Sequence, residues 1–280
     1  MISYPNVKLN LGLNVLRKRP DGYHDLETLF VPYHGITDIL EISEAPEDGI
    51  EVEGGTWEPE TDLCWTALGL LRKDFSFPHV KIRLVKRAPV GAGLGSGSSD
   101  CVFTMKMLDE MFSLGMTETV LYSFASMLGS DCPFFVYDTP MIGEGRGEVL
   151  TPFDIDLSGY DIRVEVPAGV SVSTREAYAG ISPRVPELGL REVLKRPVES
   201  WKSLLVNDFE KSVFAAHPEI EALKRKFYDE GAVYAALDDA VVLVYTDGEF
   251  VVGDLTDLKE KKTVEFYKID SDFYNLLLVK

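Results

Sequence analysis

The stretch Pro89-Val-Gly-Ala-Gly-Leu-Gly-Ser-Gly-Ser-Ser-Asp100 places four alternating glycines, Gly91, Gly93, Gly95 and Gly97, ahead of two serines and an aspartate. Upstream, Val80, Ile82 and Leu84 alternate with Lys81 and Arg83, the period of a half-buried strand. Downstream, Val102, Phe103, Met105, Leu108, Met111 and Phe112 fall at helical spacing, with Ser98 or Ser99 available as N-cap. A strand that runs through glycines into a helix presents bare backbone N–H groups and a positive helix end to an anion. Cβ atoms would block both the positive-φ turns and the close approach of a phosphate, which is why glycines stand there. A flexible linker has no need of Pro89 and Leu94, nor of a place between a strand and an amphipathic helix. The stretch is therefore predicted to be a phosphate loop. No lysine follows any of the glycines, so it is not a Walker A loop. Ser96 and Asp100 stand where a dinucleotide fingerprint needs its third glycine.

That anion site must work against the field of the whole chain, whose net charge is −18. Such a charge argues against a nucleic-acid or anionic-membrane partner. Three cysteines (Cys64, Cys101, Cys132) are odd in number and lack metal-ligand spacing, which predicts a reduced, cytoplasmic compartment. No apolar run reaches membrane length. At 280 residues the chain can hold two modest domains, with a boundary expected between Thr151 and Asp161.

Other elements are legible from pattern. Val7, Leu9, Leu11, Leu13 and Val15 alternate as a half-buried strand, which puts Lys8 and Asn10 on its polar face. Pro20-Asp21-Gly22 is a turn. Strands are expected within Asp38–Ile42 and Ile50–Gly54, and a helix from a Thr61 cap through Lys73. A second helix should run from a Thr117 cap to a stop at Gly129. Pro133 biases Cys132 away from helix, which puts Asp131 in a tight turn, although such an aspartate can also cap a short helix. Later, Ser200–Val206 and Phe209–Ala215 read as short helices, and His217-Pro218 opens a longer one that Gly231 stops. Strands are expected at Val233–Tyr234, Val241–Tyr245, Phe250–Val252 and near Val264–Ile269.

The glycine run resembles the second motif of the GHMP kinases, and its G-L-G-[GS]-G-S-S-D spelling is similar to the diphosphocytidyl-methylerythritol kinase family within them. Pro5-Asn-x-Lys8-x-Asn10, Arg19-x-Asp-Gly-Tyr23-His24, Gly129-Ser-Asp131-Cys-Pro-Phe-Phe and Asn207-Asp208-Phe209 resemble the same family, as does the glycine turn Gly143–Glu148. This resemblance runs from Tyr4 to about Ala236. It implies an α+β two-domain GHMP kinase fold, with an N-terminal α/β half (residues 1–155) carrying the nucleotide loop and a ferredoxin-like C-terminal half (156–280). The implied activity moves the γ-phosphoryl group of ATP, with Mg²⁺, to a hydroxyl of a cytidine diphosphate-linked methylerythritol.

The resemblance also implies roles. Lys8 would lie beside the reacting hydroxyl and Asp131 would accept or steer its proton. Pro89, Gly91, Ala92, Gly93, Leu94, Gly95, Ser96, Gly97, Ser98 and Ser99 would hold ATP. Ser98 or Ser99 would touch Mg²⁺, whose other ligands stay open. Lys86 either reaches the nucleotide or is a solvated strand-end lysine. Asn10, Tyr23, His24 and Tyr178 would bind substrate, the two tyrosines by stacking on cytosine and His24 by reading its edge. Without the resemblance, His24 is a surface histidine and Tyr23 a core aromatic.

Two departures stand out. Asp62 replaces the asparagine that the family places near adenine. After Val233-Tyr-Ala-Ala-Leu237 the family runs into a second glycine-serine loop that closes over the phosphates, and this chain reads Asp238-Asp239-Ala240-Val241. A tighter turn into a strand and a weak or inactive kinase are expected from that. A GHMP kinase for another small alcohol and a non-catalytic nucleotide binder are the alternatives.

Overall fold

A computed structural model describes residues 1–167, 170, 172–238 and 241–246. The chain divides into two units, Met1–Asp154 with Ser182–Glu187, and Ile155–Ile181 with the residues from Leu188 on. Ser182–Glu187 returns to the first unit, where the Arg184 N–H donates to Val15 O at 2.9 Å.

In chain order the first unit holds strands β1 (Ile2–Ser3), β2 (Asn6–Lys18), β3 (His24–Thr37), β4 (Ile39–Glu44) and β5 (Gly49–Glu53), then helix α1 (Leu63–Leu71), strand β6 (Val80–Val85), helices α2 (Ser96–Phe112), α3 (Glu118–Leu128) and α4 (Cys132–Tyr137), and strands β7 (Met141–Gly145) and β8 (Val149–Pro152). One sheet has the order β1-β4-β6-β5, antiparallel except where β5 runs parallel to β6. The other is the antiparallel sheet β2-β3-β7-β8. Leu40, Ile42, Ile82 and Leu84 of the first sheet share one core with Leu68 of α1 and with Met105 and Leu108 of α2. The alternation in β6 follows its sequence, with Val80, Ile82 and Leu84 buried and Lys81 and Arg83 exposed.

β2 departs from its expected half-burial. Its residues Asn6 to Val15 are all buried, Lys8, Asn10 and Asn14 included. The phosphate loop covers the polar face, where Lys8 Nζ donates to Gly93 O at 3.1 Å and Gly95 lies against the Lys8 side chain. It also bonds the strand edge, the Lys8 backbone N–H donating to Leu94 O at 2.9 Å. Strand periodicity reports which residues share a face and says nothing of what later lands on the other one.

The helix starts correct two caps and one expected turn. α1 is capped by Asp62 rather than Thr61, with Oδ1 accepting from the Cys64 N–H at 2.8 Å. α2 begins at Ser96 behind Gly95, whose φ of +69° is left-handed, so Ser98 and Ser99 lie inside the first turn and cap nothing. Cys132 opens α4 with Pro133 in its first turn, where the missing N–H costs nothing. α3 is capped by Thr117 as its sequence predicts.

The second unit holds β9 (Asp161–Glu165), α5 (Thr174–Tyr178), α6 (Leu190–Leu194), α7 (Trp201–Leu204), α8 (Glu210–Ala216), α9 (Pro218–Asp229), β10 (Tyr234–Asp238) and β11 (Val241–Thr246). Its described strands form an antiparallel sheet of order β10-β11-β9. α9 buries Ile220, Leu223 and Phe227 and stops before Gly231 at φ +99°. Asp238 pairs with Val241, so the two strands are joined through positions 239 and 240 alone. Those two positions and the strands expected at 250–252 and 264–269 lie outside the described residues.

Candidate active site

The site is assembled from β2, the 89–98 loop and the first residues of α2 and α4. Gly91, Gly93 and Gly95 all adopt left-handed φ, between +69° and +73°. Ala92 and Leu94 between them are buried and anchor the loop. A Cβ on Gly95 would lie 3.2 Å from both Lys8 Cε and the Phe135 ring, so glycine there lets the loop close on β2. The loop lines a cleft of about 550 Å³, closed on another side by Trp57, Asp62 and Leu63. Ser98 lines this cleft, whereas Ser99 is fully buried in the helix and does not reach it.

α4 carries Asp131 and is pinned from two directions. Lys106 of α2 donates to Phe135 O at 2.7 Å, and the Cys101 and Cys132 thiols pack 3.6 Å apart. At the other end Asn6 of β2 donates to Asp138 Oδ1 at 2.9 Å. Asp131 makes no capping bond to α4, and its carboxylate stands 3.6 Å from the Lys8 ammonium. Lys8 also donates to Asn10 Oδ1 at 3.2 Å and to Gly93 O at 3.1 Å, and lies over the Phe30 ring at 4.9 Å. Lys8 is only 3% exposed while Asp131 is 36% exposed, so the pair has a buried donor and an open carboxylate. Two residues far apart in sequence thus meet beside the phosphate loop. A cation and a carboxylate so placed can orient a hydroxyl and take up its proton.

Lys86 is not a solvated strand-end lysine. It is buried and donates to Asp38, to Asp100 at 2.5 Å and to Ser96 Oγ at 3.1 Å. Its three protons thus have three acceptors, and Lys86 also borders the cleft lined by the phosphate loop. Burial opposes its charge, but Asp100 and Asp38 outweigh that and hold its pKa above the ordinary lysine value. Asp100 is pushed well above the usual carboxylate range by burial, Lys86 pulls the other way, and the Asp38 charge adds to the rise. Asp38 further accepts from the Arg87 and Ala88 backbone N–H groups at 2.5 and 2.8 Å, which fixes the chain entering the loop. This network was not legible in sequence, because an aspartate beside a strand is ordinarily a solvated residue. Replacing Lys86 by Met should lower stability by roughly 3–5 kcal/mol, since two buried carboxylates lose their cation. Urea unfolding measures this. Unchanged stability with weakened ATP binding would instead return Lys86 to the nucleotide.

Asp62 spends Oδ1 on its helix and accepts from Trp57 Nε1 at 3.0 Å through Oδ2. Tyr23 is 56% exposed, with the Arg146 guanidinium 5.0 Å from its ring centre. His24 opens β3 opposite Lys18. Tyr178, in the second unit, ends α5 with its ring edge-on to Phe209 at 4.8 Å. Among the described residues no group of three or more His, Cys, Asp or Glu could hold a metal ion. The oxygen donors near the loop, Ser98 and Asp131, suit a hard cation carried in on a triphosphate. No described helix is long and apolar enough to cross a membrane.

Residues 62–139 match the family described as GHMP kinases N terminal domain. A Bacteroides fragilis protein named 4-diphosphocytidyl-2-C-methyl-D-erythritol kinase is 45% identical over 246 residues, covering 85% of this chain and 88% of the relative. A Bacteroides thetaiotaomicron protein of the same name is 45% identical over 254 residues, covering 88% and 91%. The chain belongs to the 4-diphosphocytidyl-2-C-methyl-D-erythritol kinase family. The crystal structure of a 4-(cytidine 5'-diphospho)-2C-methyl-D-erythritol kinase superposes with a TM-score of 0.77 at 27% identity, over 89% of this chain and 91% of the other. Mevalonate kinase from Methanococcus jannaschii, at 14% identity and a TM-score of 0.62, shares the fold.

Proposed function

We propose that this chain transfers the γ-phosphoryl group of ATP to the 2-hydroxyl of 4-diphosphocytidyl-2-C-methyl-D-erythritol, a step of non-mevalonate isoprenoid precursor synthesis. The observation that carries the reading is the Lys8–Asp131 pair, 3.6 Å apart, with Lys8 bonded to Gly93 O of the phosphate loop. The 2-hydroxyl is tertiary and weakly acidic, so it needs a base at the moment of attack, and Asp131 takes that proton. Lys8 offers positive charge to the oxygen as it becomes anionic. Phosphoryl transfer has a loose transition state, so positioning and charge neutralisation matter more than covalent chemistry. The loop N–H groups hold the phosphates. Mg²⁺ bound with the nucleotide would neutralise phosphate charge, with Ser98 the protein hydroxyl closest in kind to a ligand. Tyr23 offers a stacking face for the cytosine and His24 its hydrogen-bonding edge, and Tyr178 is the second stacking ring that this reading requires.

Incubation with ATP and the diphosphocytidyl substrate, followed by mass spectrometry, tests the reading. One added phosphate, located on the 2-hydroxyl by phosphorus–carbon coupling in NMR, supports it. Phosphorylation of homoserine or mevalonate in preference would replace the substrate, and ATP binding with no transfer to any alcohol would leave a nucleotide binder.

A further inference from the structure

The turn that follows β7 takes no part in the chemistry above, yet it is built with care. Gly145 and Gly147 adopt φ of +71° and +106°, and the Gly147 N–H closes the turn on Glu144 O at 3.1 Å. A Cβ on Gly145 would come within 3.0 Å of Glu148 Oε2. That same oxygen accepts from the Arg146 backbone N–H at 2.5 Å, while Oε1 stands 3.5 Å from Arg146 Nε. Glu148 is held in turn, because Tyr122 donates its hydroxyl proton to Glu148 O at 3.1 Å. The turn contacts fix the Arg146 backbone, and Glu148 Oε1 meets its guanidinium. Gly145 is paired with Leu26 in the sheet, so the turn lies beside the start of β3 and the residue just before it, Tyr23. There the guanidinium lies over the Tyr23 ring, 5.0 Å from its centre.

We propose that Arg146 is a positioning residue for substrate recognition, holding the Tyr23 ring as a rigid platform on which the cytosine of the substrate stacks. This rests on the cytidine reading of the site given above. Tyr23 is 56% exposed, so without a partner its side chain would sweep several rotamers and a ligand would have to immobilise it. A guanidinium on one face settles the ring through cation–π attraction and leaves the other face for a base. The glycine turn supplies the rigidity, since an arginine that itself wandered would orient nothing. The same turn lines a cavity of about 270 Å³ together with Gly129, Ser130 and Pro133, which flank Asp131. Arg146, which lies over Tyr23, thus also borders the cavity that the neighbours of Asp131 line.

The full chain with Arg146→Ala should bind 4-diphosphocytidyl-2-C-methyl-D-erythritol roughly three- to tenfold more weakly by calorimetry, with the same rise in KM. Its kcat, its KM for ATP and its melting temperature should hold. Arg146→Lys, which keeps a cation, should restore most of the affinity. Because Arg146 acts through Tyr23, the double variant Arg146→Ala, Tyr23→Ala should bind no worse than Tyr23→Ala alone. Unaltered substrate affinity in Arg146→Ala, or losses that simply add in the double variant, would overturn the proposal while the kinase reading stands. Failure of the unsubstituted chain to bind this substrate would overturn both, and calorimetry reports that whether or not turnover is fast.

Discussion

Replacing Asp131 by Asn is expected to lower kcat by roughly 10²-fold or more while the protein stays folded and binds ATP. Asn keeps the size and shape of the carboxylate, and its Oδ1 can still face Lys8 across the 3.6 Å that separates the pair. It cannot accept a proton, so only the base is lost. The cost to folding should be within about 0.5 kcal/mol, because Asp131 is more than a third exposed and makes no capping bond to α4. Steady-state kinetics with saturating ATP and substrate give kcat, calorimetry gives nucleotide affinity, and thermal melting checks the fold. A variant that turns over within a few-fold of the original would remove Asp131 from the chemistry and leave Lys8 and the loop to act by charge and position alone.

The parts of this site that sequence reveals are those whose chemistry restricts residue type. Only glycine adopts left-handed φ at Gly91, Gly93 and Gly95 without strain, so the loop is visible as spelling. Lys8 and Asp131 are legible only through motif resemblance, because nothing local predicts that residues 123 positions apart will meet. Their meeting depends on α4 being pinned by Lys106 to α2 and by Asp138 to Asn6, bonds that span long stretches of chain. The full burial of β2 and the Lys86 network are illegible for the same reason. A strand pattern shows one buried face, and a buried lysine with two aspartates reads in sequence like three surface charges. Asp62 shows the converse, since it does in plain sight what an N-cap aspartate does, and Thr61 next to it offers an equally good signal. Arg146 matters through contacts that a glycine turn alone does not announce.

Rebuilding the third motif is expected to raise kcat/KM for ATP by on the order of a hundredfold or more, the scale set by gaining one backbone donor at a developing charge. The substitutions are Asp238→Ser, Asp239→Gly, Ala240→Ser and Val241→Gly together. In the family this position carries a glycine-serine loop that closes over the phosphates. Here Asp238 and Val241 are the last and first residues of β10 and β11 and pair directly, which commits both to extended backbone. A β-branched residue at 241 also disfavours the positive φ that such a loop uses. Two carboxylates where the family's loop meets the phosphates would repel a triphosphate, and repulsion grows as water is excluded. The chain is thus expected to be a slow kinase that keeps its first two motifs. Glycines in the ladder cost about 0.5–1 kcal/mol each, so the rebuilt chain must be checked by thermal melting before its kinetics are compared. Should it fail to fold, Asp239→Gly with Ala240→Ser leaves the paired residues in place and still removes one negative charge. A folded variant with turnover equal to that of the original would show that the phosphates are closed over by other means, and that the Asp238–Val241 hairpin costs this enzyme nothing.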